Sequence, residues 1–366
     1  MRVLTAFVDV DEIAWLGEAG HEIAHFSTQH PSNEPSPWSE YFVPYLKLGG
    51  DGQLEVFQKT RAAIRMFYNR EAASRQTRLL LEFRPDVIHV HGIHRQLSPS
   101  ILAAARERNV PVVHTMHDYF AVCPADVLLW GDGTLCDPGL CRAAAPWPAI
   151  LHRCVRGSLA QSSLSAAETF FRTRFMHFEE LVTRFISPSQ FLADRLRAAG
   201  MMRRPIDVLP NAIAEQPQGA GGAGFLFAGR LAREKGLRVL LDAARQANLE
   251  LTIAGDGPLA QLVRERSSQR VRWVGSVPST RVIELLGQCT AAVVPSTWFE
   301  NAPLSILEPM AAGTPVVASA IGGIPELVRH GVDGLLVRPD SVDSLATAMN
   351  ALAEHPENAH RMGLDD

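Results

Sequence analysis

The chain has 366 residues, 46% hydrophobic and 20% charged, enough to bury two cores of ordinary domain size and inconsistent with disorder. A formal net charge of −4 argues against a nucleic-acid partner, and five cysteines, an odd count, argue against a disulfide scaffold. No apolar run approaches about 18 residues, so no transmembrane helix is expected, and MRVLTAFVDVDEIAW lacks the layout of a signal peptide; the expected location is the cytoplasm.

Residues 2–8, RVLTAFV, read as a buried first strand, and GHEIAHFS (20–27) as a second. The interval between them has barely room for a crossover helix. Residues 27–42, rich in Pro, Ser and Asn, read as a loop. Residues 54–84 have helical periodicity. From Lys59 to Arg84 they carry seven bases (Lys59, Arg61, Arg65, Arg70, Arg75, Arg78, Arg84) against two acids (Glu71, Glu82). That is the pattern of a solvated helix face, or of a peripheral contact with an anionic membrane surface. PDVIHVHG (85–92) is a strand, 98–108 a helix, and VPVVHTMHDYF (110–120) a strand running into a polar loop. A long helical zone covers 158–183, RFISPSQF (184–191) is a strand closing on a helix cap, and PIDVLPNAI (205–213) a short strand and loop.

EQPQGAGGAG (215–224) is the best linker, and after it the pattern restarts. Strands are expected at FLFAGRL (225–231), LELTIAGDGP (249–258), VRWVGSV (271–277), TAAVVPS (290–296) and GLLVRPD (334–340), with helices between. The last helix, from 341 to about 354, is capped by Ser341. This alternation predicts an α/β chain of two Rossmann-like, doubly wound parallel sheets. The division expected is 1–204 and 205–366, with a ligand at the C-terminal ends of the strands.

Several groups of residues suit an anionic ligand. Arg230 and Lys235 follow the strand ending at Gly229, and Gly236 opens a helix; two bases beside a helix N-terminus can hold a diphosphate. Taken alone, solvated loop bases remain the plainer reading. Gly255-Asp256-Gly257 would let a ligand approach the backbone, or is an ordinary turn. Asn301 can cap a helix whose first turn is Pro303-Leu304-Ser305. Glu300 precedes that helix and Glu308 lies inside it; on spacing alone both are ordinary helix-flanking acids.

The order of motifs changes this weighing. GRLAREKG, IAGDGP, WVGSV, VVPSTWFENAPLSILEPMAAGTPVVAS and GGIPELVRHGVDGLLV follow one another. The second half thereby resembles the retaining glycosyltransferases of family 4 (group 1), of GT-B architecture, strongly over 200–355. GHEI, DVIHVHG, HTMHDYF and SPSQF extend the resemblance into the first half. It implies an enzyme that moves a hexosyl group from a UDP-sugar or GDP-sugar to a hydroxyl of a glycan, lipid-linked or small-molecule acceptor. Polysaccharide, glycolipid or glycosylated natural-product synthesis would be the setting, with no cofactor required and no metal at the diphosphate. By this resemblance Arg230 and Lys235 bind the diphosphate, with the backbone at Gly229 and Gly255 nearby. Glu308 binds the ribose, and Glu300 contacts the transferred sugar. Asn301, Ala302, Pro303, Leu304 and Ser305 hold sugar and phosphate, and Gly275 to Val277 border the base. A histidine of the first domain approaches the sugar; the matching position is His117, with His91 next and His89, His94 and His114 as neighbours.

The sequence departs from the family at two places. DVDEIAWLGEA stands where members carry a Gly-rich loop and a full helix, so this segment reads as shortened. No helix crossing back to the first domain is expected after the one around 341–354. These departures keep a second class open, a degenerate GT-B protein that binds nucleotide-sugar or a partner enzyme without turnover, and a third, a nucleotide-sugar epimerase. Asp9-Val10-Asp11 forms a DxD pattern, which binds Mn²⁺ in a different glycosyltransferase fold. Cys123, Cys136, Cys141 and Cys154, with gaps of twelve, four and twelve, could hold structural zinc or be buried thiols. Some family members carry a similar Cys-Pro-led insertion.

Overall fold

A computed structural model describes the chain except residues 7–9, 32, 34, 46–55, 94–95, 137–139, 142–144, 201–202, 220 and 365–366. It divides into two compact units: Met1–Pro188 with Leu192–Leu209, and Ser189–Phe191 with Pro210–Asp366.

The first unit is built on β1 (Arg2–Ala6), β2 (Glu22–Phe26), β5 (Val87–Val90), β6 (Val112–Thr115), β7 (Arg184–Ser187) and β8 (Ile206–Val208). These form one sheet in the order β2-β1-β5-β6-β7-β8, every pair parallel. A short pair, β3 (Thr28–Gln29) and β4 (Val43–Pro44), lies within the stretch expected as loop. The strand β8 pairs with β7, so this unit runs to Leu209 rather than ending at 204. Leu4, Ala6, Phe26, Ile88, Val90 and Phe185 are all buried. Strands buried on both faces need apolar runs, which is why they were visible as such.

The helices are α1 (Val10–Glu18), α2 (Val56–Phe67), α3 (Arg70–Phe83), α4 (Ser100–Glu107), α5 (Pro148–Leu151), α6 (Leu159–Arg174) and α7 (Gln190–Ala198). The interval after β1 therefore does hold a crossover helix, of nine residues. The expected helix over 54–84 is two helices. Buried Asn69 breaks it, because its Oδ1 accepts the Ala72 N–H at 3.1 Å and caps α3. Two of its bases are tied into the fold. Arg65 pairs with Glu71. Arg75 donates to Glu71 at 3.1 Å and to the carbonyls of Glu40 at 3.1 Å and Phe42 at 2.8 Å.

The second unit places β9 (Phe225–Ala228), β10 (Leu251–Ala254), β11 (Val271–Gly275), β12 (Ala291–Val294), β13 (Val316–Ser319) and β14 (Gly334–Val337) in one sheet. Its order is β11-β10-β9-β12-β13-β14, all parallel. Side chains alternate between two cores. Phe225, Phe227, Ile253, Val293 and Val317 face one; Leu226, Ala254, Val294 and Val316 face the other, as the two-residue strand period requires. The helices are α8 (Leu237–Gln246), α9 (Ala260–Arg266), α10 (Ser279–Leu286), α11 (Leu304–Ala311), α12 (Ile324–Leu327), α13 (Val342–Glu354) and α14 (Pro356–Leu364). Ser341 caps α13 by accepting the Ser344 N–H at 3.3 Å, as expected. The helix α14 was not expected; Pro356 sits at its first position, where a missing N–H costs nothing. No helix among the described residues is long and apolar enough to cross a membrane.

Candidate functional site

In the second sheet the strand order reverses between β9 and β12, and such a switch point opens a crevice at the carboxyl ends of the strands. Two acid–base residues meet there. After β9 the chain makes a 3₁₀ turn over Arg233–Lys235 and passes through Gly236 at φ 70° into α8. A Cβ at Gly236 would stand 1.8 Å from the Pro295 carbonyl oxygen. Only glycine lets the start of α8 press against the chain leaving β12. The Thr297 N–H then donates to the Glu234 carbonyl at 2.9 Å.

This contact brings Lys235 to Glu300. Lys235 Nζ donates to Glu300 Oε1 at 2.6 Å, and Ser296 Oγ donates to the same oxygen at 2.6 Å. The Glu300 side chain is 6% exposed and that of Lys235 22%. The ammonium lies 5.4 Å from the centre of the Trp298 ring, a cation–π distance. Trp298 Nε1 is buried and has no hydrogen-bond partner among the described residues. Gly322 holds the other side; a Cβ on it would stand 2.2 Å from the Glu300 carbonyl oxygen, which accepts the Gly323 N–H at 2.8 Å. Ser296, Trp298 and Gly322 were not singled out from the sequence, although each lies within or beside a quoted motif.

The remaining residues of this unit distribute as follows. Arg230 is exposed and pairs with Glu234. Gly229, Gly255 and Gly275 end β9, β10 and β11, and the turns stack. Gly255 N–H donates to the Gly275 carbonyl at 2.7 Å, and a Cβ on Gly255 would stand 1.9 Å from the Gly229 carbonyl oxygen. Val277 packs against the second core. Asn301 does not cap α11: its Oδ1 accepts from Ser189 Oγ at 2.5 Å, and Pro303 occupies the cap position with no side-chain cap bond. The Ala302 carbonyl accepts from Asn211 Nδ2 at 3.1 Å. Leu304 is half-exposed at the start of α11. Ser305 and Glu308, one turn apart on α11, line a narrow crevice with Ala228, Val282 and Val294. The two acids thus stand on different elements, Glu300 on a loop and Glu308 on a helix.

His117 belongs to the first unit, on the loop after β6. Its Nε2 lies 2.7 Å from His91 Nδ1, and the two rings stack at 5.0 Å. His117 is exposed at the surface of the unit, yet the protein packed around its ring lowers the pKa to about 4, and the charge of His91 adds to the effect. The loop is fixed from behind by Arg172 on α6, which donates to the Phe120 carbonyl at 2.9 Å and to Glu168 at 3.0 Å. His114 is a core residue: it is buried, with Nε2 2.9 Å from the His91 carbonyl oxygen. His94 and Asp9 of the DxD pattern lie outside the described residues.

The four-cysteine zinc expectation is not met. None of the cysteines is in a disulfide, and among the described residues these four do not gather into one ligand group. Burial pushes the thiols of Cys123 and Cys154 up to about 12 and that of Cys141 to about 11.

The model of the group 1 glycosyl transferases matches residues 212–364, and that of glycosyltransferase family 4 matches residues 11–216. The chain belongs to the group 1, family 4 glycosyltransferases. A glycogen synthase of Mycobacterium tuberculosis is 30% identical over 289 residues, covering 76% of this chain and 63% of its own length. The chain therefore spans less than two thirds of that relative. Among solved structures, sucrose-phosphate synthase from Thermosynechococcus elongatus superposes with a TM-score of 0.68 at 19% identity, over 100% of this chain and 92% of that one. Anabaena HepE in complex with UDP-glucose gives 0.60 at 16% identity, over 100% and 93%. The family-4 chain has the GT-B fold, each unit supplying one parallel-sheet α/β half.

Proposed function

We propose that this chain transfers a sugar from a nucleoside-diphosphate sugar to a hydroxyl acceptor, with retention of anomeric configuration. The observation that carries the reading is the Lys235–Glu300 pair, buried at the switch point of the second sheet and walled by glycines whose Cβ positions backbone occupies. Lys235 has three N–H donors, and one carboxylate oxygen engages only one of them. The others serve the donor diphosphate together with Arg230, which gives up Glu234. Their charge stabilises the diphosphate as its bond to the anomeric carbon breaks. Glu300 then faces the sugar hydroxyls, and Glu308 with Ser305 takes the ribose. Gly275 to Val277 border the base. His117, held neutral at physiological pH by its low pKa, contacts a sugar hydroxyl. UDP-glucose in HepE supports a UDP-sugar as the first donor to try, with GDP-sugars the second. The acceptor is a glycan, lipid-linked or small hydroxyl compound.

The test is release of UDP or GDP from a donor panel by the purified protein, with product stereochemistry read by NMR. Glu300→Gln and Lys235→Ala are expected to lose at least about 100-fold in turnover, the loss seen when one charge-stabilising group is removed. Unchanged turnover in both variants sinks the site. Tight nucleotide binding with no turnover on any donor favours a binding protein instead.

A further inference from the structure

The first sheet has its own switch point, between β1 and β5, and three side chains of metal-ligand type converge there. Glu12 stands in the first turns of α1, which leaves β1. His89 and His91 are two residues apart at the end of β5, so both project to one face. His89 Nδ1 lies 2.6 Å from Glu12 Oε1, and His91 Nε2 lies 3.2 Å from Glu12 Oε2. One ligand atom from each of the three falls within 4.8 Å of the others. No other set of three such residues does so among the described residues.

The outer nitrogens of both rings are already engaged. His89 Nε2 lies 2.8 Å from Thr115 Oγ1, and His91 Nδ1 lies 2.7 Å from His117 Nε2. Metal-binding histidines are held in this way, with the far nitrogen on a second polar group that fixes ring and tautomer. The inner nitrogens are less well served. His91 Nε2 is close to Glu12 but off the direction of a hydrogen bond, so this buried nitrogen has no hydrogen-bond partner among the described residues. If the His91 proton sits on Nδ1, Nε2 presents a lone pair to a carboxylate oxygen, which is repulsive. If it sits on Nε2, a buried N–H is misdirected. A cation between the three groups removes the conflict in the first case.

We propose that Glu12, His89 and His91 bind a divalent zinc-class ion through one carboxylate oxygen and two imidazole nitrogens. Three protein ligands of the His₂Glu type leave a fourth tetrahedral position for water or a substrate hydroxyl. Two imidazoles select zinc over magnesium or calcium, which take oxygen ligands. The Glu12 and His89 side chains are 25% and 19% exposed, which leaves the ion a path to solvent. With the ion on His91 Nε2, the proton of that ring must be on Nδ1 and is donated to His117 Nε2. The metal thereby acts on His117 as a positioning group and ties α1 to β5. It lies in the first unit, whereas Lys235 and Glu300 belong to the second.

The test uses the full chain without an affinity tag. It is stripped with a chelator, then titrated with zinc in competition with a chromophoric chelator. The proposal expects one zinc per chain, and visible d–d bands when cobalt(II) replaces it. Glu12→Gln and His89→Gln should weaken zinc binding by more than 100-fold, while their melting in chelator matches that of the parent protein. Should either variant fail to fold, Thr115→Val decides: it keeps all three ligands and should weaken binding about tenfold by freeing the His89 ring. Absence of stoichiometric zinc, or equal affinity in the folded variants, overturns the proposal. Loss of donor turnover is not its readout, so failure here leaves the glycosyl-transfer reading standing.

Discussion

In each unit of the molecule an acid–base pair is set among packed elements, and the two pairs differ in what surrounds them. In the first unit Arg172 and Glu168 are 1% and 7% exposed, one turn apart on α6. Arg172 also donates to the Phe120 carbonyl and lies 3.9 Å from the centre of the Phe120 ring. It has the surroundings of a structural pair, boxed in by protein on every element it touches. In the second unit Lys235 and Glu300 come from residues 65 apart in sequence, at a sheet switch point. The lysine keeps one fifth of its surface in solvent, beside an indole N–H without a partner among the described residues. Burial of charge is expensive in both. The first pair's spare donor, Arg172 Nη1, is sealed in the core, whereas the second pair stands where a ligand can reach it.

The largest effect should come from breaking the first pair. Arg172→Met leaves Glu168 buried without a counter-charge and is expected to cost about 4 kcal/mol, read as a shift of the urea midpoint. Adding Glu168→Leu should recover most of it, and nucleotide affinity of the folded double variant should stay as in the parent. Lys235→Ala strands Glu300 in the same way. Because Lys235 is partly exposed, the loss should be smaller, about 2–3 kcal/mol, but here nucleotide affinity falls too. If Arg172→Met weakened nucleotide binding and Lys235→Ala did not, the contrast between the pairs would be reversed. Gly236→Ala forces a left-handed residue and a collision with Pro295, and should cost at least about 2 kcal/mol. Asn301→Ala removes the buried hydrogen bond to Ser189 and should cost at least about 1 kcal/mol. Both are measured in the same unfolding assay.

The smallest effect concerns the thiols, where the units should not differ. Burial raises Cys123 in the first unit and Cys289 in the second to about 12. Alkylation needs the thiolate, so labelling of the native protein at pH 8 should be slow in both. Each rate should rise about tenfold per pH unit toward the thiol pKa, as the thiolate fraction does. Rapid labelling of Cys289 alone would show that the second unit opens locally where the first does not.

Much of this architecture was legible before any coordinates, because parallel strands buried on both faces read as apolar runs and the helices between them as periodic stretches. What was not legible depended on contacts far apart in the chain. Periodicity ran straight through Tyr68-Asn69, and only the buried Asn69 side chain showed a break. Asn301 has the residue type of a cap but bonds to Ser189 instead, and no local rule announces that. Lys235 and Glu300 were each singled out, for diphosphate and for sugar, but not as partners. Gly236, whose missing side chain allows them to meet, was read only as a helix start. Glu12 lay in a stretch read as shortened, and its meaning came from β5, about eighty residues later.

The central claim is that Lys235 at the second switch point receives the donor diphosphate. Calorimetric titration of UDP, UMP, GDP and GMP into the parent protein and into Lys235→Met tests it directly. The account predicts that the parent binds one diphosphate at least tenfold more tightly than its monophosphate, and that this ratio falls to near one in Lys235→Met. A ratio that survives the substitution unchanged would contradict it.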